Sequence, residues 1–100
     1  MFRHVVLFTW VEGTTQEQLE RLATRLAELP GLIPEIKAYE FGADARINEG
    51  GYDFGIVADF ADRDTYLVYR DHPAHRALIE ECIAAIRDQR AAIQFEYGAG

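Results

Sequence analysis

The chain has 100 residues, of which 49% are hydrophobic and 27% charged, and this length and composition predict one globular domain, residues 1–100, with a single core. Its 10 basic residues against 17 acidic ones give a net charge of −7 at pH 7, which argues against nucleic acid and anionic membrane surfaces as partners. No apolar run approaches the roughly 18 residues of a membrane span, and no targeting segment is recognisable, so we expect a cytoplasmic protein without membrane attachment.

The first predicted element is an apolar strand at residues 2–11, which the turn-forming residues 12–14 end. Alternate side chains of a strand point to opposite faces, and here both faces are largely apolar. A strand with one face in water would alternate apolar and polar residues, so we expect this strand to be covered on both sides.

A helix is predicted next, with a capping box at residues 14–17 in which the Thr14 hydroxyl reaches towards the acidic residue three positions on. Its leucines recur at helical spacing, Leu26 among them, and form one apolar stripe for the core. Pro30 is expected to end this helix near Leu29.

The middle of the chain predicts two more strands with a long loop between them. An extended run at residues 35–41 precedes the glycine-rich residues 42–53, which we expect to form a loop and a candidate lid. Alternating apolar residues at 54–60 predict the third strand, and Asp62 is placed to cap the helix that follows.

That helix is interrupted by Pro73. Residues 63–70 are predicted to be helical and to end before the proline, which has no amide hydrogen and disfavours a helical conformation in its predecessor. Pro73 suits the first turn of a new helix, which we extend to about residue 89, before a fourth strand at residues 92–97. His75 lies in the first turn, where unpaired amides and the positive end of the macrodipole disfavour an imidazolium, so we expect it to be neutral. It also begins the apolar stripe of this helix, so we expect it to point inward.

The order β-α-β-β-α-β predicts a ferredoxin-like α+β fold. Two helices can cover only one face of a four-stranded sheet, whereas the first strand is apolar on both faces and the second and fourth strands carry aromatic residues. The uncovered face therefore predicts a homodimer in which two copies pack sheet against sheet.

The histidines leave alternatives open. His75 is either a hydrogen-bonded core residue or a general base, with Tyr69 supplying a proton to a developing enolate oxygen. His72 is either a structural residue at the helix start or part of the binding site. His4 shares a strand face with Phe8, and it lines a cavity together with His75 only if that face meets the helices, which the sequence does not decide.

The sequence predicts no metal and no cofactor. Cys82 is the only cysteine, and the spacing of the three histidines is not a known set of metal ligands. Gly50 and Gly51 precede a strand instead of opening a helix, so a phosphate-binding glycine loop is not indicated.

Four stretches together resemble the stress-responsive A/B barrel domain family. They are residues 3–8, residues 51–53, the Y-x-x-H-P-x-H motif at residues 69–75, and residues 95–97. The resemblance covers nearly the whole chain and implies a homodimer of ferredoxin-like subunits that forms an α+β barrel.

Within that family, Tyr69, His75 and His4 make the chain similar to plant polyketide cyclases, which close an aromatic ring by an intramolecular aldol step without a cofactor. The resemblance implies that Tyr69 and His75 are catalytic and that His4 lies in the pocket. Leu26 is a departure, because such cyclases carry a pocket tyrosine at that position.

The sequence thus predicts a protein that binds a small hydrophobic carbonyl or aromatic ligand, with cofactor-free acid/base chemistry by His75 and Tyr69. The predicted binding residues are His4, Phe8, Leu26 and His72. Two alternatives are a non-catalytic structural or stress-associated dimer and a monooxygenase of the dimeric barrel type.

Overall fold

The computed structural model describes residues 1–98, and in that part of the chain four strands form one antiparallel sheet in the order β2-β3-β1-β4. The strands are β1 (Phe2–Trp10), β2 (Ala38–Ala43), β3 (Phe54–Phe60) and β4 (Arg87–Glu96). The helices are α1 (Gln16–Leu32), α2 (Arg63–Asp71) and α3 (Pro73–Leu78), and a π-helical turn at Ile79–Ile83 continues α3. This arrangement confirms the predicted ferredoxin-like α+β fold.

β1 lies in the middle of the sheet, between β3 and β4, and its two faces meet different surroundings. The side chains that face the helices are buried: Phe2, His4, Val6 and Phe8. Arg3, Val5 and Leu7 point to the opposite face and remain half-buried. His4 therefore lies on the helix side of the sheet, which the sequence left open.

α1 begins one residue later than the predicted capping box. The Thr15 hydroxyl accepts a hydrogen bond from the Gln18 amide at 3.1 Å, and the Gln18 side-chain oxygen accepts one from the Thr15 amide at 2.9 Å. The Thr14 hydroxyl instead donates to the carbonyl of Val11 at 2.7 Å. The predicted role of Thr14 was wrong because two adjacent threonines offered the same cap.

The predicted end of α1 at Leu29 was also wrong. The helix runs through Pro30 to Leu32, since a proline in the last turn removes only one backbone hydrogen bond. The first amide after the helix also has a partner, because the Ile33 amide donates to the carbonyl of Leu29 at 2.9 Å.

β2 begins at Ala38, three residues later than predicted, and residues 44–53 form the loop to β3. Asp53 fastens this loop to β1: its amide donates to the carbonyl of Phe8 at 2.9 Å, and its carboxylate accepts from the Trp10 amide at 2.7 Å. The loop contributes to a cleft beside Trp10 and not to the cavity described below. The geometry therefore gives no support to a lid over that cavity.

The helix after Pro73 ends earlier than the sequence predicts. At the π-helical turn the Ala84 amide donates to the carbonyl of Ile79 at 2.9 Å, five residues back, which widens the turn. β4 then starts at Arg87 and not at residue 92. Pairing of residues 87–91 with β1 decides this boundary, because tertiary hydrogen bonds override the helical propensity of these residues.

The core lies between the sheet and the helices. Its largest fully buried side chains are Phe60, Leu22, Leu26, Leu29, Ile33 and Leu78. Cys82 is buried with a free thiol. In residues 1–98, no helix has the length and apolar character of a membrane span.

The second face of the sheet carries no helix and is mainly apolar over β1, β3 and β4, apart from the ion pair of Arg3 with Asp59. Its apolar side chains are Val5, Leu7, Val57, Ile93 and Phe95. Ile93 is 59% exposed and Phe95 40% exposed. The aromatic residues of β2 do not contribute as predicted, because Tyr39 and Phe41 point to the helix side and pack on the core. We call this surface the open sheet face.

Candidate functional site

A cavity of about 290 Å³ lies between the sheet and the helical segments that follow β3. Five of the six site residues predicted from the sequence line it: His4, Phe8, Leu26, Tyr69 and His75. The volume is close to the lower end, about 300 Å³, of typical small-molecule sites. The fold thus brings together residues from β1, α1, α2 and α3.

The helix break at Pro73 determines how Tyr69 and His75 meet. Tyr69 lies in the last turns of α2, and the chain reverses at His72 so that the first turn of α3 returns over it. The two rings stack with their centroids 4.1 Å apart and an interplanar angle of 29°. The Tyr69 side chain therefore orients the imidazole by stacking and not through its hydroxyl.

His75 Nδ1 lies 3.0 Å from the backbone carbonyl oxygen of Arg70. A carbonyl oxygen only accepts, so Nδ1 donates its hydrogen and Nε2 keeps a lone pair. The carbonyl belongs to the last turn of α2, where no intrahelical donor is left for it. A helix terminus thus fixes the tautomer of the candidate base.

Burial is the main cause that lowers the pKa of His75, and the charge of Arg76 lowers it further, while the bond to the Arg70 carbonyl raises it. This direction agrees with the expected neutral imidazole. The sequence attributed it to the helix macrodipole, but α3 has only six residues, and desolvation has the larger effect.

Tyr39 joins the site through its hydroxyl, which lies 2.9 Å from the hydroxyl of Tyr69. Tyr69 is 2% exposed. Burial raises the pKa of Tyr39 to about 12 and raises that of Tyr69 further still, so both phenols stay protonated at neutral pH. When Tyr39 donates to Tyr69, the Tyr69 hydrogen is free for a ligand oxygen and is a better donor for it.

His4 is 4% exposed and donates from Nδ1 to Gln94 Oε1 at 2.6 Å, so its Nε2 is also an acceptor. Burial is the main cause that lowers the pKa of His4, and the charge of Arg90 lowers it further, while the hydrogen bond to Gln94 raises it. The ring of Tyr66 lies 5.0 Å from the His4 ring and lines the same cavity.

The structure places His72 outside this cavity. Its Nδ1 accepts a hydrogen bond from the Ala74 amide at 3.0 Å and caps the start of α3. This contact fits the structural alternative for His72 and gives no support to its prediction as a binding residue.

Sequence reasoning missed several residues of the site. The sequence did not point to Tyr39, Tyr66 or Gln94. Their contacts in the site depend on the register of the sheet and on the packing of α2, which a sequence pattern does not show. Four arginines also line the cavity: Arg70, Arg76, Arg87 and Arg90. Within residues 1–98, no three His, Cys, Asp or Glu side chains lie close enough to hold a metal ion.

Known proteins match this chain over most of its length. The sequence model of the stress responsive A/B barrel domain matches residues 2–97. The stress-response A/B barrel domain-containing protein HS1 of Arabidopsis thaliana is 32% identical over 75 residues, which are 73% of this chain and 69% of that protein. A dimeric ferredoxin-like protein of unknown function from Thermobifida fusca YX is 44% identical, with a TM-score of 0.89 over 96% of this chain and 90% of that chain.

Two structural neighbours carry named activities. The hydroxynitrile lyase from Passiflora edulis is 16% identical, with a TM-score of 0.84 over 99% of this chain and 94% of that chain. An antibiotic biosynthesis monooxygenase is 16% identical, with a TM-score of 0.78 over 99% of this chain and 100% of that chain. At this level of identity each likeness shows the fold alone.

Proposed function

This chain belongs to the stress-responsive A/B barrel domain family, and on that premise we propose that it binds a small hydrophobic carbonyl compound and abstracts a proton from it without a cofactor. One observation carries the proposal: a neutral His75 with a free Nε2 lines a cavity beside a buried pair of tyrosine hydroxyls. A base and a hydrogen-bond donor on one cavity are what enolisation requires.

In the proposed reaction, His75 Nε2 takes a proton from the carbon next to the carbonyl group of the ligand. The electron pair of the broken C–H bond moves towards the carbonyl oxygen, and the Tyr69 hydroxyl donates a hydrogen bond to the resulting enolate. The Arg70 carbonyl accepts the Nδ1 hydrogen throughout and stabilises the imidazolium. The enolate is then a nucleophile for an aldol-type step, in keeping with the resemblance to polyketide cyclases at Tyr69, His75 and His4.

The test is proton exchange in a methyl ketone. Acetophenone and 1-phenyl-2-propanone in D₂O lose their acidic hydrogens to deuterium, and NMR follows the rate with the protein present. We expect His75→Asn to lower the protein-dependent rate by roughly 100-fold or more, the usual contribution of a general base. His72→Asn is the matched control, since it makes the same substitution outside the cavity and asparagine also caps helices.

Equal exchange by the parent and His75→Asn would remove His75 as the base. A parent that accelerates no exchange would favour the second candidate, a structural dimer without catalysis. That candidate has its own support, because the His72 cap and the bond from His75 to the Arg70 carbonyl hold the break between α2 and α3 with no ligand involved.

We also propose that two copies pack through the open sheet face. On this face the exposed Ile93 lies opposite Val5, and the exposed Phe95 lies two residues further along β4, opposite Arg3. An apolar patch of this kind is normally buried against a partner. The relative from Thermobifida fusca is described as dimeric, which supports the formation of a homodimer. A cytoplasmic location is part of the proposal, because one buried thiol needs no oxidising compartment.

A further inference from the structure

The cavity lining has the opposite charge to the chain as a whole. The protein carries a net charge of −7 at pH 7, yet the charged side chains that line the cavity are Arg70, Arg76, Arg87 and Arg90. Among residues 1–98, no aspartate or glutamate lines it. A cavity with this lining attracts anions despite the acidic surface elsewhere.

Three arginines differ from the others because they line the cavity and form no ion pair within residues 1–98. The sequence has nine arginines, and five form ion pairs with acidic residues: Arg3, Arg21, Arg25, Arg46 and Arg70. Of the other four, Arg76, Arg87 and Arg90 line the cavity. Their guanidinium groups make no ion pair or hydrogen bond with any residue of the described part of the chain. Arg63 is equally unpaired there but lies away from the cavity.

These three arginines come from two elements that close over the same apolar interior. Arg76 follows His75 on α3, and Arg87 and Arg90 open β4. The apolar lining includes Val6, Leu26, Leu78, Ile79 and Ile83. The cavity is therefore amphipathic, with an apolar body, a tyrosine and histidine wall, and a guanidinium rim.

The position of Arg90 ties the rim to the proposed chemistry. Arg90 pairs in register with Phe8, on the face of β1 that carries His4. Burial is the main cause that lowers the pKa of His4, and the charge of Arg90 acts in the same direction, as expected for a cation near this ring. The candidate base His75 lines the same cavity as Arg90.

We propose that the ligand of this cavity is a small organic acid, whose carboxylate binds Arg76, Arg87 and Arg90 and whose apolar body lies against Leu26 and Ile79. The planar guanidinium fork matches a carboxylate with two parallel hydrogen bonds, and the apolar interior selects against a fully hydrated anion. This inference rests on the proposed function, and it narrows the substrate class to carbonyl compounds that also carry a carboxylate.

The test compares each acid with its own methyl ester, which keeps the body and removes the charge. The probe pairs are benzoate, 4-acetylbenzoate and 3-phenylpropanoate with their methyl esters, and inorganic phosphate is tested alone. Calorimetry and NMR titration of the full chain measure binding. We expect at least one acid to bind ten or more times tighter than its ester, and the preference to weaken as salt concentration rises.

Substitution locates the anion. Arg76→Gln and Arg90→Gln should each remove most of the preference for the acid, and circular dichroism and sedimentation check that both variants keep the fold and assembly of the parent. Arg63→Gln is the matched control and should bind like the parent.

Each outcome has a separate meaning. Equal binding of acid and ester overturns the organic-acid inference but leaves small-molecule binding intact, and so does phosphate binding as tight as that of the acids. If Arg76→Gln and Arg90→Gln still bind the acid more tightly than its ester, the carboxylate binds elsewhere, and the proposed arginine site is overturned. No binding of any probe contradicts both proposals, whereas acid binding without ketone exchange removes only the catalysis.

Discussion

The titratable histidines and tyrosines of the cavity owe their protonation state to burial more than to charged neighbours. His4 and His75 are both neutral acceptors on the cavity, and each is held by one hydrogen bond from Nδ1 to an oxygen that cannot donate. Such an arrangement suits a base that must accept a proton, but it also makes folding sensitive to pH.

We expect the free energy of unfolding to fall as the pH drops below about 6.5. The pKa values of His4 and His75 are lowered from the ordinary 6.5 in the folded protein, so just below that pH the unfolded chain binds more protons than the folded one. The contribution of the two neutral histidines to stability is therefore fully present above pH 6.5 and is lost as the pH falls towards their pKa values in the folded protein. Urea unfolding at a series of pH values measures this.

The double variant His4→Asn/His75→Asn is the control, and its stability should change much less between pH 6.5 and 5. The carboxylates are not expected to obscure the comparison. The pKa values of Asp53 and Asp59 are lowered from 3.8, so these groups take up protons only in a more acidic range. An unchanged slope in the double variant would contradict the assignment to these histidines.

The hydroxyl pair of Tyr39 and Tyr69 makes a second prediction at the level of residues. Tyr69→Phe leaves the Tyr39 hydroxyl without its partner and should cost about 1–3 kcal/mol of stability. The double variant Tyr39→Phe/Tyr69→Phe removes both polar groups and should cost less than the sum of the single variants. Strict additivity in urea unfolding would show that the two hydroxyls do not interact.

At the level of elements, the interruption between α2 and α3 is the feature that builds the site. Asp62 caps α2, as the sequence predicts, with its carboxylate accepting from the Thr65 amide at 2.9 Å. At the other end of α2 the proline forces an extended His72, and this turn carries His75 back over Tyr69. The π-helical turn after α3 then brings Ile79 and Ile83 to the cavity.

His72→Ala should therefore cost about 1 kcal/mol, since it removes the cap from the first amides of α3. His72→Asn should recover most of that loss, because asparagine can accept the same hydrogen bond. Thermal unfolding of the two variants makes the comparison. If alanine and asparagine are equally stable at this position, the cap contributes nothing and the bend depends on Pro73 alone.

For the whole molecule, we expect the open sheet face to determine whether the protein is a monomer or a dimer. Ile93→Glu places a charge in the proposed interface and should weaken dimerisation by roughly 100-fold or more, because an unpaired buried charge is costly. Sedimentation over a range of concentrations measures the effect. Val68→Glu is the matched control, since Val68 is 46% exposed on α2, away from that face.

A dimer that forms as tightly with Ile93→Glu as without it would place the interface elsewhere. A parent protein that stays monomeric at every concentration would contradict the sheet-to-sheet assembly altogether. The apolar side chains of β1 and β4 would then need another partner.

The sequence alone was enough to predict the ferredoxin-like fold, because hydrophobic periodicity, caps and prolines act locally and are written in adjacent residues. β3 was predicted at its observed bounds, and Pro73 marked the helix break correctly. The motif at residues 69–75 likewise directed attention to Tyr69 and His75 before any geometry was known.

Only the tertiary structure decided the remaining features, because they depend on contacts between residues far apart in the chain. Pairing with β1 made residues 87–89 part of a strand although they were predicted to be helical, and the same register placed Gln94 opposite His4. The packing of α2 on the sheet joined Tyr39 to Tyr69, which are 30 residues apart. The guanidinium rim of the cavity also depends on contacts between distant residues, since no local sequence pattern shows that Arg76 and Arg90 line one cavity.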